Sequence, residues 1–463
     1  MKTNLLLIIA ILCVGLVGNV KAQYKSTIVE DNLIEIAHSV LPVDGIIPYL
    51  PIDTTSFGSV ALPVSGKIQF KPLVNFFFRP ETTSNYKEAG LPEDLGHLNF
   101  YLRGDFGGNI SLPKNIDMVV NLHSYGVYSR SLGPLDPNLS LYEAYVDMKK
   151  LDRAGKMSLR FGRMCLGKYG TEILVGDDDF AKGRSFESAR FRYHTERWTS
   201  DVMWVQLYQA APDSAIFDWN HPIFLGNFNT FNLSDVFHLD ANLVYIIDQY
   251  NSGYRTTVFM PNIRLFGRSN RLRYSAEMIY QTGIARGVIT DTKLGNVNAY
   301  AAEVSAGYFG KDDKMSIDIA YYLGSGDDDP GDNDLKSYNV LWQNEHRRFG
   351  YIDAFKGSNV QAGTVHVNWR LGRLVDTGIH GVFAQVLESK DRSTGIATVN
   401  LNTLTTDNKT IGYGGDWYLN YYFNHYLNMQ FSTSVFRPGE YFTAVNGIDK
   451  TMFRMYLMLA LKI

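Results

Sequence analysis

The amino-acid sequence predicts an all-β fold, a transmembrane antiparallel β-barrel, and three observations carry that prediction. Segments of alternating hydrophobicity recur, short turns trade places with long polar loops, and aromatic residues are plentiful where cysteine is nearly absent. The chain holds 29 Tyr and 27 Phe against 2 Cys. Strands favour aromatic and β-branched side chains, and a membrane barrel needs aromatic girdles at both interfaces. A net charge of −3 is too near neutral to imply a nucleic-acid partner, and none is expected.

The N-terminus reads as a secretory signal over residues 1–22. Lys2 supplies the positive flank, Leu5 to Val17 form the apolar core, and Val20-Lys21-Ala22 fits a small-x-small cleavage site before Gln23. Cys13 follows Leu12 rather than a small residue, which argues against lipoprotein processing, and cleavage leaves Cys165 without a disulfide partner in the chain. Beyond residue 23 no run of roughly 18 apolar residues appears, so the exported chain has no helical way of staying in a membrane. Residues 23–62, with Pro42, Pro48 and Pro51, show little alternation and read as an irregular N-terminal segment, periplasmic or plugging a pore. The barrel is expected over 63–463.

Within that span, alternation decides the fold. Leu272, Tyr274, Ala276, Met278 and Tyr280 oppose Arg271, Arg273, Ser275, Glu277 and Gln281. Val365, Val367, Trp369 and Leu371 oppose Thr364, His366, Asn368 and Arg370, and Leu427, Met429, Phe431, Thr433 and Val435 oppose Asn428, Gln430, Ser432 and Ser434. In the last segment Phe453, Met455, Leu457, Leu459, Leu461 and Ile463 point one way. Side chains alternate across a strand, so one parity faces lipid and the other a polar lumen. A soluble sandwich also alternates, but these segments run to about 9–13 residues, the length a tilted membrane strand needs.

Connections support the same topology. Residues 310–313, 372–374 and 424–426 form short turns, whereas 282–295, 325–358, 389–410 and 437–450 are long, as expected of periplasmic turns and outer loops. About 17 candidate strands fall between residues 67 and 463. Because single-chain bacterial barrels close with an even number, about 18 is the expectation and about 16 the alternative. The missing strand is sought within 210–236 or before residue 67.

Two stretches go beyond composition. The first is Leu141-Tyr142-Glu143-Ala144-Tyr145-Val146-Asp147, then Leu159-Arg160-Phe161-Gly162-Arg163, Val175-Gly176 and Gly183-Arg184-Ser185-Phe186-Glu187-Ser188-Ala189-Arg190. The second is Tyr322-Leu323-Gly324-Ser325-Gly326-Asp327, Ser337-Tyr338-Asn339, and His346-Arg347-Arg348-Phe349-Gly350-Tyr351-Ile352-Asp353-Ala354-Phe355. With Phe436-Arg437-Pro438-Gly439-Glu440-Tyr441 and Met452-Phe453-Arg454, the sequence resembles the alginate-export family of outer-membrane porins, in consistent order over roughly residues 97–463. The resemblance implies an 18-stranded monomeric barrel in the Gram-negative outer membrane whose arginine-lined lumen passes a polyanionic polysaccharide. Outer-membrane lipid and the barrel-assembly machinery are the expected partners, beside an anionic saccharide solute.

A channel needs no nucleophile, so the candidate residues are those lining its path. Anion-selective pores use rings of Arg and Lys, and a planar guanidinium pairs bidentately with a carboxylate. Parity turns Arg160, Arg190, Arg192, Arg271, Arg273, Arg370 and Arg454 inward, while Arg163 ends its strand. The family motifs single out Arg163, Arg348 and Arg454. The solute-pathway set is therefore Arg160, Arg163, Arg190, Arg192, Arg348, Arg370 and Arg454. The plainer reading pairs each arginine with an acid across strands, Glu143, Glu277, Glu303 and Asp416 being the candidates. Tyr418 and Tyr422 on lumen faces suit stacking against neutral sugars.

The acidic run Asp327 to Asp334 lacks the register of a calcium loop and reads as a solvated outer loop, so no metal is expected. No G-x-S-x-G or H-E-x-x-H motif occurs, and His346 and His366 stand apart, so no catalytic residue and no cofactor are assigned. The sequence thus points to passive diffusion of anionic saccharides, alginate-like polyuronates, or other small anions. The alternative is a plugged barrel whose long loops serve adhesion or assembly.

Overall fold

The computed structural model describes residues 62–65, 68–85, 98–129, 133–134, 138–166, 169–171, 173, 175, 185–206, 223–251, 254–287, 292–310, 314–341, 348–391, 407–424 and 426–462. The expected signal peptide, nearly all of the 23–62 segment, His346 and most of the 389–410 loop lie outside these residues.

Alternation becomes strands in chain order. The first are β1 (Leu62–Ser65), β2 (Ile68–Ser84), β3 (Leu98–Leu112), β4 (Ile116–Ser129), β5 (Gly133–Pro134), β6 (Asn138–Met148) and β7 (Met157–Met164). Next come β8 (Phe186–His194), β9 (Trp198–Gln206), β10 (Ile223–Ser234), β11 (Phe237–Asn251), β12 (Tyr254–Ser269) and β13 (Leu272–Gly287). The last are β14 (Lys293–Phe309), β15 (Met315–Gly324), β16 (Val360–Arg370), β17 (Val375–Gln385), β18 (Thr410–Tyr422), β19 (Leu427–Pro438) and β20 (Met452–Lys462). Among the described residues eighteen strands, all but the short β1 and β5, close into an antiparallel ring: β4 pairs with β6 and β20 returns to β2. Closure removes every unpaired strand edge, the condition for a sheet to sit in hydrocarbon. The expected eighteen strands are there, and the stretch 210–236 carries β10.

Polarity is inverted relative to a soluble domain. On β15 Ile317 and Ile319 are 40% and 56% exposed, while Asp318 between them is 6% exposed. Val365 next to buried His366, Ile379 next to buried His380 and Trp417 next to buried Asp416 repeat the arrangement. Apolar side chains outside and polar ones inside make sense only when the outer solvent is lipid. No described helix is long and apolar enough to cross a membrane.

Two expectations need correction. The loop expected at 282–295 is mostly strand, because Thr282 to Gly287 continue β13 and pair with Tyr254 to Phe259 of β12. Arg271 does not face the lumen from a strand: β12 ends at Ser269 and β13 starts at Leu272, which leaves it in the turn.

The described parts of the long 325–358 loop, residues 325–341 and 348–358, fold into the barrel. At the long-loop end, lumen-facing positions turn from polar to apolar, so that on β11 Asp240 and Asn242 give way to Val244 and Ile246 on the same face. Phe349, Ile352 and Phe355 of the loop pack against this wall together with Phe436, Met452 and the helix Glu440–Asn446, which buries Tyr441, Phe442 and Val445. A buried phenyl or aliphatic side chain contributes about 1.5–3 kcal/mol, which drives the loop inward.

Candidate functional site

The seven arginines selected from the sequence fall into three groups. The first lies near the short-turn end, on β7 and β8. Arg160 and Arg190 are directly paired in register, and Arg192 shares their face two residues on. Arg160 binds Asp147 at 2.6 Å and stacks over Tyr145 at 4.5 Å. Arg192 grips both oxygens of Asp201 at 2.7 and 2.9 Å. Arg190 has no hydrogen bond or ion pair among the described residues. Among the described residues three guanidinium groups thus share two carboxylates, Asp147 and Asp201, and Arg190 is the one that neither binds directly. Tyr169, from the connection after β7, reaches in to give Asp201 a hydrogen bond of 2.8 Å and stacks on Phe228.

The second group holds loops to the wall. Arg348 pairs with Glu303 of β14 at 2.5 Å and donates to the carbonyl and hydroxyl oxygens of Thr171. The Thr171 amide in turn donates to Glu277 of β13 at 2.5 Å. Tyr338 donates to the Ile173 carbonyl at 3.1 Å, so two connections meet inside the barrel. Arg454 joins Glu81 at 3.0 Å and Asp353 at 2.7 Å, and also donates to the Tyr351 carbonyl.

The third group is peripheral. Arg163 donates to Ser185 at 3.1 Å and pairs with Glu187 across β8. Arg370, the last residue of β16, is exposed at the short-turn end opposite Asp376. The seven sequence-selected arginines therefore do not form one ring. Of the acids proposed as partners, Glu303 takes Arg348, Asp416 takes His380, Glu277 takes Thr171 and Asn262, and Glu143 takes the Cys165 amide.

Sequence reasoning missed Arg79, Arg103 and Arg264, all buried in the lumen and paired with Glu81, Asp105 and Asp240. The signal was present at Arg264, which alternates with Ile263 and Leu265. Also missed was a stripe of directly paired lumen residues running over β13 to β20. In order they are Arg273, Gly307, Asp318, His366, His380, Asp416, Ser434 and Arg454. Arg273 sits beside the short-turn end of its strand and Arg454 near the long-loop end, so the stripe climbs through the lumen, as tilt and stagger require. Arg273 reaches across β14 to Asp318 at 2.5 Å, and only the absence of a side chain at Gly307 leaves room: a Cβ there would lie 1.8 Å from Asp318 Oδ1.

A sequence profile described as alginate export matches residues 130–454. No curated protein sequence matches the chain. Among solved structures, OccK5 (OpdH) of Pseudomonas aeruginosa is similar with a TM-score of 0.55 at 12% identity, over 85% of this chain and 98% of that one. OpdK of the same organism, solved with vanillate, gives a TM-score of 0.54 at 9% identity over 85% and 98%. P. aeruginosa OprD gives 0.51 at 10% identity over 85% and 95%. At such identities the likeness is one of fold.

Proposed function

The chain belongs to the alginate-export family and is an outer-membrane β-barrel channel, and from that premise we propose that it passes anionic saccharides, alginate-like polyuronates, or other small anions by passive diffusion. The observation that carries this reading is Arg190, a lumen guanidinium with no ion pair among the described residues, placed between Arg160 and Arg192. An unneutralised cation in a narrow, partly desolvated space attracts a passing carboxylate more strongly than one in bulk water. No step of this reading requires bond making, so the protein acts as a channel and not as an enzyme. The proposal includes export by a signal peptide over 1–22, insertion by the barrel-assembly machinery and a monomeric barrel in lipid.

The test is single-channel recording of refolded protein in planar bilayers under a salt gradient. A reversal potential on the anion side, with current blocked by uronate oligomers, is the expected result; weak cation selectivity with no block would overturn it. A second reading, a plugged platform acting through its outer loops, draws on the apolar packing at the long-loop end. It predicts bilayers that stay silent at every voltage.

A further inference from the structure

At the middle of the stripe stand two histidines. His366 of β16 and His380 of β17 are directly paired, with ring centroids 6.3 Å apart, and both are buried. Asp416 of β18 is the next residue along, and its Oδ2 atom meets His380 Nδ1 at 3.2 Å. The same oxygen accepts the backbone N–H of Tyr351 at 3.1 Å. Tyr351 belongs to the inward loop, whose chain turns there through Gly350 at a φ of 87°. Arg454, at the end of the stripe, takes the Tyr351 carbonyl and the Asp353 carboxylate. The loop tip is thus fastened to the wall through Asp416 and Arg454, and Asp416 is shared with a histidine.

Among the described residues, groups face this pair from three sides. On the β13 to β15 side, Asp318 is the register neighbour of His366 but is already held by Arg273. On the β18 side, Tyr418 lies with its hydroxyl 2.9 Å from His366 Nε2 and accepts a hydrogen bond from Asn368 at 2.8 Å. On the loop and β20 side stand Asp353, Arg454 and, behind them, Glu81. With both imidazoles neutral the stripe balances: two arginines against two aspartates. Because the Tyr418 oxygen accepts from Asn368, its own proton is available to His366 Nε2, which puts the His366 proton on Nδ1. His366 Nδ1 has no hydrogen-bond partner among the described residues.

We propose that the His366–His380 pair is a proton-operated latch for the inward loop, a reading that rests on the channel function above. Uptake of protons places like charges on two adjacent buried rings with no free carboxylate beside His366 among the described residues. An unpaired buried charge is costly and is relieved by water. Water reaches the rings when the Phe349–Tyr351 tip lifts, and the His380 imidazolium competes with the Tyr351 amide for Asp416. By linkage, protons then favour the lifted state.

The test is open probability of the full chain in planar bilayers, stepped from about pH 7.5 to about pH 4.5. The expected result is a rise of at least about fivefold in the native protein, absent from a His366→Gln/His380→Gln variant of unchanged heat-modifiable mobility. The native protein alone decides the matter if the variant fails to fold: a flat response overturns the latch, as does a pH response that survives in the variant. Loss of anion selectivity at every pH would instead count against the channel reading, so the two failures are distinguishable.

Discussion

Arg160 of β7 and Arg190 of β8 are directly paired across two strands, like charge against like charge. Opposed like charges destabilise a sheet, and here Asp147 offsets only Arg160. Replacing Arg190 with Gln therefore removes repulsion and leaves Arg160 and Arg192 with their partners. The expected outcome is unchanged or slightly raised thermal stability in detergent, with the anion-to-cation permeability ratio falling roughly two- to tenfold. Reversal potentials under a salt gradient check it.

Arg348 carries a different weight, since it is buried against buried Glu303. Arg348→Met strands that carboxylate, which costs about 3–5 kcal/mol, whereas Arg348→Met/Glu303→Gln removes both charges and recovers much of the loss. Thermal unfolding of the detergent-solubilised barrel distinguishes the two variants, and equal destabilisation in both would show that the pair contributes little.

Gly350→Ala tests the loop tip. The φ of 87° disfavours a side chain, and an added Cβ would lie 2.1 Å from Asp416 Oδ2. A cost of about 1–3 kcal/mol is expected, taken locally at the tip. Faster amide exchange at Tyr351, with little change in the strand amides, is the readout.

The outer loop after β15 has its own pH dependence. Lys336 Nζ bridges Asp328 at 2.6 Å and Asp332 at 2.9 Å, and these hydrogen bonds hold both carboxyls below their ordinary value of 3.8. Depressed carboxyls stabilise the loop above that value, and the contribution is lost as pH falls through the lower folded-state values. Lys336→Met should speed amide exchange at 332 and 334 at neutral pH, an effect the native chain shows only in stronger acid. High salt should shrink the difference, since the bridge is exposed.

The alternation around Arg273, His366 and Arg454 was readable because strand parity is strictly local: one residue on, the side chain faces the other solvent. The same rule was available at Arg103 and Arg264. What parity cannot give is which inward residues meet. His366 and His380 are neighbours only because β16 and β17 pair in one register. Arg273 reaches Asp318 only because Gly307 intervenes. Arg348 was placed in a motif and assigned to the solute pathway, but its hold on the wall was not legible, since its partners Glu303 and Thr171 lie far off in the chain.

By itself the sequence determined a closed membrane barrel, with about 18 strands expected and about 16 the alternative, because backbone groups in lipid must all be paired and period-two patterning recurs along the chain. Only the tertiary structure decided that the loop tip turns inward, that Arg348 and Arg454 hold it, and that Arg190 forms no ion pair among the described residues. These are outcomes of register, stagger and loop packing, in which side chains distant in sequence compete for the same few carboxylates.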